Sequence, residues 1–337
     1  MLLGIPQGST LGPLLFLIFI NDLPLATLFI SLLFADDTTF QLEGPDLGDL
    51  ISLANSELKK AEEWFISNSL TLNKKKTKLM IFSPSGGKTN PTTLPNLQIG
   101  DTIIDRVGEN CKETSIRFLG LLVDDSLTFT YHIKKLKIKL GHALFHLSSC
   151  KETTPLRIKR AIYFSLFESQ LRFSALVYGS ASSNDLEKIF KQQKRALRLI
   201  SGASYSDHTD PLFLKNRILK AKDLFDLERV IHIHKFRHGK LPASFNSEYL
   251  SLMDSESLSR RDDPLCYKLP ITDKSLVRSP KILMIKAWNK LSYDIKSIGD
   301  QNLFKNAIED KFIGTYNEVC VELNCYSCAN SNFPQTD

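Results

Sequence analysis

At 337 residues the chain is long enough for two or three domains, each able to bury its own core. Hydrophobic content of 42% and charged content of 24% exclude a wholly disordered chain and a collagen-like repeat. Six scattered cysteines exclude a secreted disulfide scaffold and read as reduced thiols of an intracellular protein. The net charge of +6 is unevenly placed. Residues 1–131 hold 10 basic and 15 acidic side chains, residues 132–240 hold 22 and 9, and residues 241–337 hold 11 and 13. A basic middle beside an acidic front suits a protein that grips a phosphate backbone with one part and holds cations with another. A solvated lysine-rich helical surface would read the same way from charge alone.

In chain order, Ile5-Pro6-Gln7-Gly8 forms a turn, and Ser9 or Thr10 can cap a helix over about Leu11 to Asp22. That helix is apolar nearly all round, so it is expected to be buried. The apolar stretch Leu11–Ala35 is no membrane span, because Asn21-Asp22-Leu23-Pro24 interrupts it well short of the ~20 residues a spanning helix needs. It lacks a basic leader and ends in Asp36-Asp37, unlike a secretory signal. Leu28–Phe34 and Thr38–Leu42 are β-rich runs flanking Ala35-Asp36-Asp37, which reads as a tight hairpin. Apolar residues at three- and four-residue spacing predict a long amphipathic helix over Asp46–Leu70.

Lys78–Phe82 reads as a strand, 83–96 as a Pro/Gly/Ser/Thr-rich loop, and Leu97–Val107 and Ile116–Val123 as further strands. From His132 the pattern is helical for over a hundred residues, and Lys188, Lys191, Arg195 and Arg198 share one helix face by their spacing. A loop-rich region starts near Gly239. Residues 280–312 are helical again, with Trp288 and Leu291 as expected core anchors.

The sharpest chemical feature is Phe34-Ala35-Asp36-Asp37. Two adjacent carboxylates repel each other, apolar flanks make their desolvation costly, and a bound divalent cation would relieve both penalties. Magnesium favours one or two carboxylates plus substrate phosphates. The pair equally suits an acidic turn facing water, so by itself it decides nothing. Cys320, Cys325 and Cys328 lack an evident fourth ligand for zinc and read as free thiols. His232, His234 and His238 lie on a basic helix and read as solvated or phosphate-facing.

The run Gly4 to Phe16, followed by Ile20-Asn21-Asp22-Leu23 and then Phe34-Ala35-Asp36-Asp37-Thr38, resembles the reverse transcriptases of non-long-terminal-repeat, jockey-like retrotransposons. Leu72-Asn73, Lys76-Thr77-Lys78 and Met80-Ile81-Phe82-Ser83 look like the next block of that family. Phe118-Leu119-Gly120, Asp125, Leu127-Thr128 and His132-Ile133 are similar to its primer-grip block. The likeness continues through His208-Thr209-Asp210-Pro211-Leu212-Phe213, Leu241-Pro242 and Ala287-Trp288-Asn289-Lys290-Leu291.

The resemblance implies RNA-templated DNA synthesis on a DNA primer, with deoxynucleoside triphosphates and magnesium. Asp36 and Asp37 would hold the metal, and Pro6, Gln7 and Gly8 would lie beside the nascent base pair. Lys76 or Lys78 would meet the triphosphate (the sequence does not choose, and a solvated strand edge would explain both). Phe118, Leu119 and Gly120 would position the primer end. Lys188, Lys191, Arg195 and Arg198 would follow a nucleic-acid backbone without reading bases. No membrane partner is expected, and the sequence sets no oligomeric state.

One departure matters. In the family a further block precedes the Pro-Gln-Gly loop and brings a third catalytic carboxylate on a separate strand. Its absence here leads us to expect a C-terminal piece, from a 5′-truncated insertion or an incomplete gene model, inactive alone. The competing expectation is a non-catalytic nucleic-acid-binding remnant. The expected fold is α+β: a partial palm of antiparallel strands and helices over 1–131, a basic helical thumb over 132–238, and a C-terminal region over 239–337.

Overall fold

Ser9 Oγ accepts the Gly12 N–H at 3.1 Å and Pro13 sits in the first turn, which starts α1 (Gly12–Ile20) where the sequence places a helix. The computed structural model that shows this describes residues 8–83, 95–108, 111–150, 152–245, 265–267, 269 and 278–317. The chain divides into two compact units, Met1–Ile116 and Arg117–Asp337.

In the first unit a short 3₁₀ turn at Leu23–Leu25 leads to β1 (Ile30–Phe34) and β2 (Asp37–Gln41), antiparallel from Ile30↔Gln41 to Phe34↔Asp37. The long helix α2 (Leu47–Ser67) begins at Asp46, whose carboxylate accepts the Asp49 N–H at 2.9 Å. Then come β3 (Lys78–Met80), β4 (Gln98–Ile99), β5 (Thr102–Ile103) and β6 (Asp105–Val107). β4 and β5 pair antiparallel, but β3 and β6 pair in parallel, a departure from the all-antiparallel expectation. A parallel pair needs a long crossover, which the stretch between Met80 and Asp105 supplies. Two small cores form on α2: Ile20 and Leu23 with Phe65, and Phe29 with Leu58, Leu97, Ile99 and Ile104.

The expectation that α1 is buried is wrong. Ile20 is buried, and Phe16 and Phe19 reach toward α2, yet Leu14, Leu15, Leu17 and Ile18 are exposed. A helix apolar all round needs neighbours on every side. Among the described residues of this unit it has them on one.

The second unit begins within the first strand of a hairpin, β7 (Ile116–Phe118), which pairs with β8 (Leu121–Val123). Asp124 is 4% exposed and accepts the N–H groups of Thr128 and Phe129, both at 2.8 Å, fixing the turn into α3 (Thr130–Ser148). Helix α4 (Leu156–Ile162) runs through a π-helical turn (Tyr163–Glu168) into α5 (Ser169–Arg172), and α6 (Ala175–Tyr178) follows. Next are α7 (Ser183–Ser201), α8 (Asp210–Asn216) and α9 (Ala221–Arg237). Then come α10 (Pro280–Asn289), α11 (Tyr293–Lys296) and α12 (Gln301–Ile313).

One large core joins these helices, with Trp288 fully buried and Leu291 nearly so, as the sequence predicts. Helices α3 and α7 lie parallel: Thr130 donates to Asp185, and Gln192 donates to the Lys137 carbonyl. At the centre Gln193, with no exposed surface, donates to Tyr163 Oη and the Leu219 carbonyl and accepts from Ala221 N–H. The mixture of helices and small sheets is α+β. No helix among the described residues is long and apolar enough to cross a membrane.

Candidate functional site

The Phe34↔Asp37 pair leaves Ala35 and Asp36 as a two-residue hairpin loop, and Ala35 takes a positive φ of 52°. Two-residue hairpins need such geometry to match strand twist, and Gly, Asn or Asp usually supply it. An alanine there carries strain of ~1–2 kcal/mol, and strain of this kind concentrates at functional positions. Asp36 sits in the loop and Asp37 opens β2, so two consecutive aspartates stand at the apex of the hairpin.

Both are exposed, and neither has a hydrogen bond or ion pair among the described residues. The desolvation penalty expected from their apolar neighbours is therefore absent. Two unpartnered carboxylates suit a hard, oxygen-seeking cation that keeps part of its water. No group of three or more His, Cys, Asp or Glu side chains able to hold a metal exists among the described residues.

Gly8 has φ +83° and open space where a side chain would begin, so it is glycine that the backbone conformation favours. Pro6 and Gln7 lie outside the described residues, as do Gly4 and Ile5. Lys76 follows the Leu72-Asn73 turn, its N–H held by Asn73, and its side chain is exposed with no partner among the described residues. Lys78 is committed: its ammonium pairs with Glu113 at 2.9 Å and Asp105 at 3.0 Å, which raises its pKa.

In the second unit Leu119 (φ 45°) and Gly120 (φ 92°) form the tip of the β7–β8 hairpin, with Phe118 and Leu119 partly exposed beside it. A Cβ on Gly120 would come 2.9 Å from the tip of the Phe173 ring, which would have to shift, and the positive φ itself favours glycine here. The hairpin is tied to α3 by the Leu122 N–H donating to His132 Nδ1 at 3.3 Å. Burial, reinforced by Lys139 and Lys135, lowers the His132 pKa to about 4.

On α7, Lys191 and Arg195 are exposed without partners among the described residues, and Lys188 is exposed but pairs with Asp185 at 2.7 Å. Arg198 differs. Its Nε and Nη2 both donate to the Asp207 carbonyl, at 3.0 and 2.8 Å, so it holds a loop. The sequence reading did not single out Lys134, Lys135 and Lys139 on the neighbouring α3, all exposed. The Lys-Lys-Leu-Lys-Ile-Lys run at 134–139 was the available signal.

Among the histidines, the expectation of solvent or phosphate fails for His234. It is fully buried between Phe304 and His238, with Nε2 2.8 Å from the Ile298 carbonyl. The Phe304 ring and the Ile298 carbonyl, brought by later parts of the chain, are invisible from the His-x-His spacing. Cys320, Cys325 and Cys328 lie outside the described residues.

The reverse transcriptase (RNA-dependent DNA polymerase) family model matches residues 2–123. The RNA-directed DNA polymerase from mobile element jockey of Drosophila funebris is 25% identical over 256 residues, covering 72% of this chain and 26% of that protein. Its namesake from Drosophila melanogaster is 25% identical over 243 residues, 69% of this chain and 24% of that protein. The chain thus spans about a quarter of the length of the curated relatives it matches. No solved structure matches.

Proposed function

We propose that this chain, which carries a reverse transcriptase domain homologous to the RNA-directed DNA polymerases of non-LTR retrotransposons, supplies such a polymerase with one carboxylate pair and a nucleic-acid grip. The observation that carries the reading is the Asp36–Asp37 hairpin, strained at its tip, exposed, and free of side-chain partners among the described residues. The family generally uses divalent metal ions, and Asp36 and Asp37 would hold magnesium. Bound there, magnesium supplies activation of the primer 3′-hydroxyl and neutralisation of charge on the triphosphate.

The chain's own residues do the rest. In this reading residues 1–131 form part of the palm, 132–238 the thumb and 239–337 a C-terminal region. Gly8, with Pro6 and Gln7, gives the nascent base pair room. Lys76, the uncommitted lysine of its block, meets the triphosphate, while Lys78 braces β3 against β6. Phe118, Leu119 and Gly120 present a small apolar tip to the primer end. Lys188, Lys191 and Arg195 bind backbone phosphates, and Arg198 shapes the loop beyond them.

Two adjacent carboxylates cannot by themselves place two ions with in-line reactants, so the 337-residue polypeptide alone binds template–primer without extending it. Binding is tested with an RNA–DNA template–primer across a salt series. Salt should weaken binding linearly on log–log axes, by ~0.9 in slope for each duplex phosphate neutralised. Replacing Lys188, Lys191 and Arg195 by alanine should flatten the slope by ~2–3. A salt-independent affinity, or an unchanged slope in the triple variant, would remove α7 from the interface.

A further inference from the structure

Just beyond the phosphate-facing stretch of α7 the chain exposes an aromatic ring. Gly202 ends the helix in the left-handed conformation, φ 65°, and the following loop carries Tyr205, 87% exposed. An exposed tyrosine on a loose loop would mean little. This loop, however, is pinned from three directions. Arg198 donates twice to the Asp207 carbonyl, the Ser204 N–H donates to Asp207 Oδ2 at 2.7 Å, and the Ala203 N–H donates to the Arg198 carbonyl at 2.9 Å. The same Arg198 guanidinium lies over the Tyr205 ring, 5.7 Å from its centroid. The ring thus has a cation beside it and stays almost wholly open to solvent. Arg195 precedes Arg198 by about one helical turn, roughly 5 Å along the axis, on the same face of the helix.

We propose that Tyr205, held in place by Arg198, is a stacking platform for an unpaired nucleobase of a strand whose phosphates run along Lys191 and Arg195 of α7. The proposal rests on the nucleic-acid reading of this helix. An aromatic face beside a basic track is the arrangement that binds single strands with little base preference, because every base has a π-face and every nucleotide a phosphate. Arg198 is a positioning residue: two of its N–H groups hold the Asp207 carbonyl, and it contributes through the loop it fixes and the ring it lies beside. This accounts for why one member of the basic stripe is half-buried while Lys191 and Arg195 are not.

The test uses the full chain and two labelled strands of equal length and charge: oligothymidylate and the same backbone with all bases removed. Tyr205→Ala and Tyr205→Phe are compared with the unaltered protein by fluorescence anisotropy across a salt series. Because the side chain is almost wholly exposed, both variants should fold, which a thermal melt confirms. The unaltered chain and Tyr205→Phe should prefer the base-bearing strand. Tyr205→Ala should lose roughly 5- to 100-fold in affinity for it, with no change for the abasic strand and no change in salt slope. If the unaltered chain binds oligothymidylate and Tyr205→Ala binds it equally well, the platform is refuted while the α7 grip stands. If the unaltered chain binds neither strand nor duplex, the nucleic-acid reading falls and takes the platform with it.

Discussion

Acidification should loosen the second unit through His132. His132 is 7% exposed, its Nδ1 accepts the Leu122 N–H, and its Nε2 is buried without a partner among the described residues. Protonation would put a charge into an apolar pocket beside Tyr178 and in the field of Lys135 and Lys139, which is why the pKa falls to about 4. The folded pKa lies below the unfolded value of ~6.5, so the unfolded state binds the proton more readily. The stabilisation is whole above pH ~6.5 and is lost as the pH falls from there through about 4. Linkage puts the loss at about 2 kcal/mol by pH 5, against a ceiling of about 3 kcal/mol at full protonation. The assay is urea unfolding followed by Trp288 fluorescence in a Trp64→Phe background, which leaves one tryptophan, buried in this unit. Between pH 7 and 5 the parent should lose about 2 kcal/mol more than a His132→Gln variant, whose amide oxygen can still accept from Leu122. Equal pH dependence in the two proteins would refute the reasoning.

Four further substitutions probe the fold and the site. Ala35→Val puts a β-branched residue at positive φ and should cost more than ~1 kcal/mol by chemical denaturation of the first unit. Gln193→Leu fills the same space but strands the Ala221 N–H and the Leu219 carbonyl. It should destabilise the second unit by ~2–4 kcal/mol, and a loss under ~1 kcal/mol would mean the network matters little. Lys78→Met should lower the stability of the first unit by breaking its bridges to Asp105 and Glu113. Lys76→Met should leave the melt unchanged and weaken triphosphate binding, and the reverse outcome would exchange the two roles.

What could be read from the sequence was whatever depends on local pattern. The Asp36–Asp37 hairpin follows from two β-rich runs with room between them for one tight turn. The helix Leu47–Ser67 follows from apolar spacing and Ser183–Ser201 from the shared face of its basic residues, while their caps, Asp46 and Ser182, emerge only in the structure. What depends on partners was not legible. Whether α1 finds neighbours, whether β3 pairs in parallel, and whether His234 meets Phe304 are set by residues distant in sequence. The α7 stripe shows the same limit, because helical spacing puts Lys188 through Arg198 on one face but says nothing of a carbonyl waiting at Asp207. Likewise the buried carboxylate that shapes the entry to α3 is Asp124, next to the Asp125 that the family pattern draws attention to.

The central claim is that this polypeptide holds nucleic acid and one half of a metal-binding carboxylate set. Its most direct test is primer extension with an RNA template, an annealed DNA primer, deoxynucleoside triphosphates and magnesium. The control is Asp36→Asn with Asp37→Asn. A single lost stabilising group already costs ~10²–10³ in rate, and here a carboxylate from a second strand is not gathered near the pair among the described residues. The account predicts that the 337-residue chain binds the template–primer and extends it no further than the double-asparagine control does. Magnesium-dependent extension above that control would contradict it, and would mean that another residue of this chain completes the site.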